Sequence, residues 1–81
     1  MSIPNGYRVS VGDDPDYEDL TAEIYYQETF LAMLTQEQGF EKLQLNIYTS
    51  PSGDAWTFAM NDFLLVVEHA KQRLWDLRRV D

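Results

Sequence analysis

The rhythm of the apolar residues changes once along this chain, and that change limits the folds open to it. Leu43-Gln44-Leu45-Asn46-Ile47-Tyr48 alternates apolar and polar, the period of a strand with one buried face. From Phe63 onward the spacing becomes helical: Phe63, Val66, Val67, Ala70, Leu74 and Leu77 form one stripe. Asn61 or Asp62 stands where a capping side chain would accept a bond from an orphan backbone N–H. Lys71, Arg73, Arg78 and Arg79 crowd the far end, where they complement the negative end of the helix dipole. The spacing predicts one helix over about 62–78, roughly 26 Å long.

Everything before that helix reads as strands. Tyr7–Val11 alternates and stops at Gly12. Ala22–Tyr26 alternates again, with Ala22, Ile24 and Tyr26 on one face. Gln27-Glu28-Thr29 fits a tight reversal into Phe30–Thr35, where Phe30, Ala32 and Leu34 share a face. Residues 21–38 also suit a helix, but Ile24, Tyr25, Tyr26, Thr29 and Phe30 favour the hairpin. Ser50-Pro51-Ser52-Gly53-Asp54 is a turn, since proline presets φ and glycine admits positive φ. Trp56, Phe58 and Met60 then alternate with Thr57 and Ala59 as a last strand.

The expected fold is α+β: an antiparallel β-meander of four to five strands within 7–60, with one C-terminal helix packed across one face. Residues 1–81 form a single domain on this reading, as the length suggests. Trp56, Phe58, Leu45 and Ile47 are expected to meet Phe63, Val67, Ala70 and Leu74 across the core. No cysteine is present to staple so small a core. Hydrophobic content of 44% is too high for disorder. The start, MSIPNGYRVSVG, lacks the cationic-then-apolar pattern of a secretory signal. No apolar run is long enough to span a bilayer. A cytoplasmic location is the expectation, with no membrane contact.

Charge narrows the partner. Residues 1–61 hold ten acids against two bases, which accounts for the whole net charge of −8; residues 62–81 balance four against four. Such a surface repels nucleic acid, whose binding relies on cations neutralising phosphates. It attracts a basic protein, or it serves solubility alone. Five of the ten acids fall within seven residues: Asp13, Asp14, Asp16, Glu18 and Asp19. Asp14-x-Asp16-x-Glu18 opens like a calcium loop, but that loop needs glycine sixth and glutamate twelfth, where Asp19 and Tyr25 stand. We therefore expect no metal and no cofactor.

No catalytic residues are expected either. His69 is the one histidine, and zinc would need further His or Cys ligands. The serines have no nucleophile-elbow context, and Gly6, Gly12, Gly39 and Gly53 are isolated rather than grouped into a phosphate loop. The surplus aromatics are more informative. On the strand reading Tyr25 and Tyr48 point away from the helix-covered face. Aromatics beside carboxylates suit a protein-binding surface, where rings anchor and charges steer.

Ala22-Glu23-Ile24-Tyr25-Tyr26, then Phe30-Leu31-Ala32, then Thr35-Gln36-Glu37-Gln38-Gly39, with Ala70-Lys71 in the terminal helix, resembles small bacterial immunity-type proteins that neutralise polymorphic or contact-dependent toxins. The resemblance spans about 17–74. It implies a bacterial, cytosolic binding protein without catalytic residues, encoded beside its toxin. The expected partner-binding surface is Asp13, Asp14, Asp16, Tyr17, Glu18 and Asp19, with a second patch at Glu23, Tyr25, Gln36 and Glu37. The expected activity is inhibition of a toxin or other basic protein by occluding its surface. The alternatives are a self-associating structural or regulatory protein, closing a homodimer through Leu31, Met33 and Trp75, and a nucleic-acid mimic aimed at a defence complex.

Overall fold

The computed structural model describes residues 3–77. Four strands form one antiparallel sheet in sequence order: β1 (Tyr7–Gly12), β2 (Thr21–Tyr26), β3 (Thr29–Thr35) and β4 (Gln44–Ile47). A 3-10 turn, Phe40–Lys42, joins β3 to β4, and one helix, α1 (Met60–Asp76), packs on β1 and β2. The fold is the expected α+β meander with its C-terminal helix.

Residues 21–35 are a hairpin, so the strand alternative holds. Its turn is tight: Gln27 and Glu28 both take positive φ, 51° and 63°. That is the backbone of a type I′ turn, whose twist matches the flanking strands but which favours Asn-Gly over Gln-Glu. The register Ile24↔Ala32 becomes Tyr25↔Phe30 one step later, so Leu31 is an extra residue in β3. This β-bulge corrects one expectation. Ala32 and Leu34 face the helix, but Phe30 is turned to the opposite side, against Tyr25 and Tyr48.

The core lies between α1 and the first three strands. Ala22, Ile24, Leu31, Ala32 and Leu34 from the sheet meet Val66, Ala70 and Leu74 from the helix, all buried. Three further expectations change. Residues 56–59 are not a strand: Trp56 and Phe58 lie on an irregular crossing that returns the chain from β4 to the open end of β1 and β2. Their rings join a stack instead, with Phe58 parallel to Phe63 at 5.4 Å and to Trp56 at 5.5 Å, and edge-on to Tyr26 at 5.1 Å. The helix starts at Met60 with Ala59 as its cap, so neither Asn61 nor Asp62 caps it; Asp62 sits in the first turn, where the dipole favours its charge. Arg78 and Arg79, expected at the far end, lie outside the described residues.

The third change concerns coverage. Because the crossing delivers α1 to β1 and β2, the helix does not reach β4. Leu45 and Ile47 point to the helix side but stay 40% and 55% exposed. Leu31 and Met33, expected on the surface, are buried; Trp75 is half-exposed and packs on Phe40 at 5.0 Å.

Candidate protein-binding face

The sheet face away from the helix is built from alternate residues. Ser10, Glu23, Met33 and Asn46 form one cross-strand row by register. Arg8, Tyr25, Phe30 and Tyr48 form the next. The second row is a continuous chain of contacts. The Arg8 guanidinium sits 4.0 Å from the Tyr25 ring centre, Tyr25 meets Phe30 at 5.5 Å, and Phe30 meets Tyr48 at 4.9 Å. Arg8 also pairs with Glu28 at 3.1 Å, in solvent where such a pair contributes little.

The acidic segment between β1 and β2 is tied down at several points. The Asp16 N–H donates to Asp14 Oδ1 at 2.9 Å, and the Tyr17 N–H donates to the Asp14 carbonyl at 2.9 Å, a local turn typical of aspartate. The Glu18 N–H donates to Glu37 Oε1 at 2.7 Å, and Gln36 Nε2 donates to the Leu20 carbonyl at 2.9 Å. Tyr17 reaches across to Tyr48, beyond β3. The Tyr48 phenol, then partial burial and the bond between the two, then the Asp14 and Asp16 carboxylates, push the Tyr17 hydroxyl above the ordinary tyrosine value. On this side of the sheet Met33, Thr21 and Thr35 are buried, while Arg8, Asn46 and Tyr48 stay exposed.

Residues of the second expected patch contact the acidic segment of the first. Gln36 and Glu37 hold the loop that carries Asp13, Asp14, Asp16, Tyr17, Glu18 and Asp19. Glu23 accepts from the Tyr25 hydroxyl at 3.4 Å and lines a cleft with Asp13, Asp14, Ser10, Gly12, Pro15 and Thr21. The cleft is about 160 Å³, below the roughly 300 Å³ at which small-molecule sites begin. Among the described residues no three His, Cys, Asp or Glu side chains are grouped to hold a metal ion. A second, open groove of about 420 Å³ lies between the 3-10 turn and α1, with both signs of charge in Glu41, Glu68 and Lys71 beside Phe40 and Trp75.

Sequence reasoning placed Tyr48 on this side of the sheet but missed Arg8 and Phe30. Tyr48 was legible from its parity in the strand. Phe30 was not, because only the bulge at Leu31 turns it there. No family model, curated protein or solved structure matches this chain. No helix among the described residues is long and apolar enough to cross a membrane.

Proposed function

We propose that this chain is an acidic protein-binding module of the immunity type, which neutralises a toxin or other basic protein by covering its surface. The observation that supports the reading most is that residues of the second acidic patch contact the acidic segment of the first. Glu37 and Gln36 bond to the backbone of the acidic segment at Glu18 and Leu20, and Glu23, bonded to Tyr25, lines a cleft with Asp13 and Asp14. Carboxylates concentrated on one side steer a cationic partner and raise its association rate by about 10–10³-fold. Tyr25 and Tyr48, pinned by ring contacts, lose little freedom on binding and can anchor the complex. On this reading the chain is not an enzyme, needs no cofactor or metal, does not bind nucleic acid directly, and acts in a bacterial cytoplasm.

Co-expression with the product of the neighbouring gene tests the proposal. The expected result is relief of growth arrest by the wild-type chain, with weaker relief when Asp13, Asp14, Asp16, Glu18 and Asp19 are replaced by Asn or Gln. Equal relief by both, with an unchanged salt dependence of binding, would remove the acidic face from the account.

A further inference from the structure

A strand edge left open usually carries protection: lysine, proline, a bulge or a covering element. The β1 edge has it, in the Arg8–Glu28 pair and the acidic run that starts at Asp13. Within β4 there is no lysine, proline or bulge, and its four residues are all exposed; shortness is its one protection. Among the described residues no strand pairs beyond β4. Residues 43–53 contain no Asp, Glu, Lys or Arg, the longest uncharged run in a chain of net charge −8. The sheet beside this edge is also uncovered on the helix side, at Leu45 and Ile47. Leu64, which is 52% exposed, shares a helical row with Glu68, Lys71 and Trp75, the row turned toward the β3–β4 connection at Phe40.

We infer that β4 pairs with β4 of a second copy of this chain, in antiparallel register about a two-fold axis at Asn46. The backbone dictates the register. The Tyr48 N–H donates inward to the Leu31 carbonyl, and Asn46 opposes Met33 with the same parity. The N–H and C=O groups of Leu45 and Ile47 therefore point to the open edge. Pairing Leu45 with Ile47 of the second copy, and Ile47 with its Leu45, makes about four backbone hydrogen bonds. The same pairing sets four aliphatic side chains in one strip on the helix side. Asn46 meets its own counterpart on the other side.

Charge selects the second copy as occupant. Two chains of −8 repel wherever acids face, and residues 43–53 are the longest stretch through which they can meet without a charged side chain. Each copy offers one such edge, so the pairing closes as a dimer and does not propagate. A standard interface takes about 800 Å² per partner, about one-seventh of this chain's 5655 Å² of surface. A four-residue strand is near the low end, so the dimer is weak and concentration-dependent.

Sedimentation velocity over a concentration series, in low and high salt, tests this without any other protein. The expected result is a monomer–dimer equilibrium that tightens as salt screens the two acidic chains, opposite in sign to binding of a basic protein. Replacing both Leu45 and Ile47 by Lys should lower the association constant at least about tenfold while the circular dichroism stays unchanged, since both sites are exposed. As a second readout, Asn46→Cys places two thiols across a close strand pair, with Cα atoms about 4.5 Å apart, within disulfide reach. Mild oxidant should convert it to a covalent dimer, while Ser52→Cys, beyond the paired strand, stays monomeric. A wild-type chain that remains monomeric at its solubility limit in high salt, or an Asn46→Cys variant that cross-links no faster than Ser52→Cys, overturns the inference.

Discussion

Leu74→Ala should be the most damaging single truncation on the helix, and its cost can be set against two neighbours in a graded series. Leu74 is 0% exposed and packs in the cluster of Ile24, Leu34, Val66 and Ala70. Leu→Ala at such a site costs about 3–5 kcal/mol, the lost transfer free energy plus the cavity left behind. A chain of 81 residues is held by roughly 4–12 kcal/mol in total, so about a quarter or more of its stability is at stake. Trp56→Ala removes a larger side chain from a half-buried position. It loses the stack on Phe58 and the Nε1 bond to the Tyr48 carbonyl at 2.8 Å, but leaves a gap open to water, for about 2–3 kcal/mol. Ile47→Ala, at 55% exposed, should cost about 0.5 kcal/mol or less in dilute solution. Urea unfolding at low protein concentration, followed by tryptophan fluorescence and circular dichroism, measures all three. Equal losses for Leu74→Ala and Ile47→Ala under those conditions would refute the placement of α1 over β1 and β2.

Other consequences can be checked in the same way. Gln27→Asn with Glu28→Gly relieves two side chains at positive φ and should raise stability by about 0.5–1 kcal/mol, because the exposed Arg8–Glu28 pair given up contributes little; a lower urea midpoint would contradict the turn assignment. Glu37→Ala removes the acceptor of the Glu18 N–H, and hydrogen exchange across residues 16–20 should quicken by about three- to tenfold while the core strands keep their protection. The Tyr7 hydroxyl is pushed above its ordinary value of 10.0 by burial, then by Tyr26 and Asp62. The folded state then holds its proton longer than the unfolded chain does, so this contribution is intact below pH 10 and is lost as pH climbs through the raised value. Tyr7→Phe should flatten that alkaline loss in a denaturation series above pH 10.

What the sequence conveyed well was periodicity. The helical stripe at Val66, Ala70 and Leu74 and the alternation in β1, β2 and β4 follow from side-chain spacing, and spacing is local. The features it hid are tertiary. The bulge at Leu31 adds one residue to β3 without a glycine to mark it, and it moves Phe30 to the acidic face. The crossing from β4 fixes which strands the helix covers, so Leu45 and Ile47 look like core residues by pattern and are not. Alternation at Trp56 and Phe58 came from ring stacking rather than from a ladder. For the candidate face, the acids and Tyr25 were legible as residue types. The contact between the two stretches was not, because it depends on Gln36 and Glu37 reaching 16 and 19 residues back along the chain to the loop.

The most direct measurement compares what three immobilised forms retain from a bacterial lysate at low and high salt: the wild-type chain, the variant with Asp13, Asp14, Asp16, Glu18 and Asp19 replaced by Asn or Gln, and the Leu45→Lys, Ile47→Lys variant. Neutralising five acids takes the charge from −8 to −3. If the logarithm of steering scales with charge, association slows by about 4- to 80-fold. The account predicts a basic protein retained at low salt by the wild type and the edge variant, released by salt, and lost from the neutralised variant. Retention of the same proteins by the wild-type and neutralised forms at both salt concentrations would contradict it.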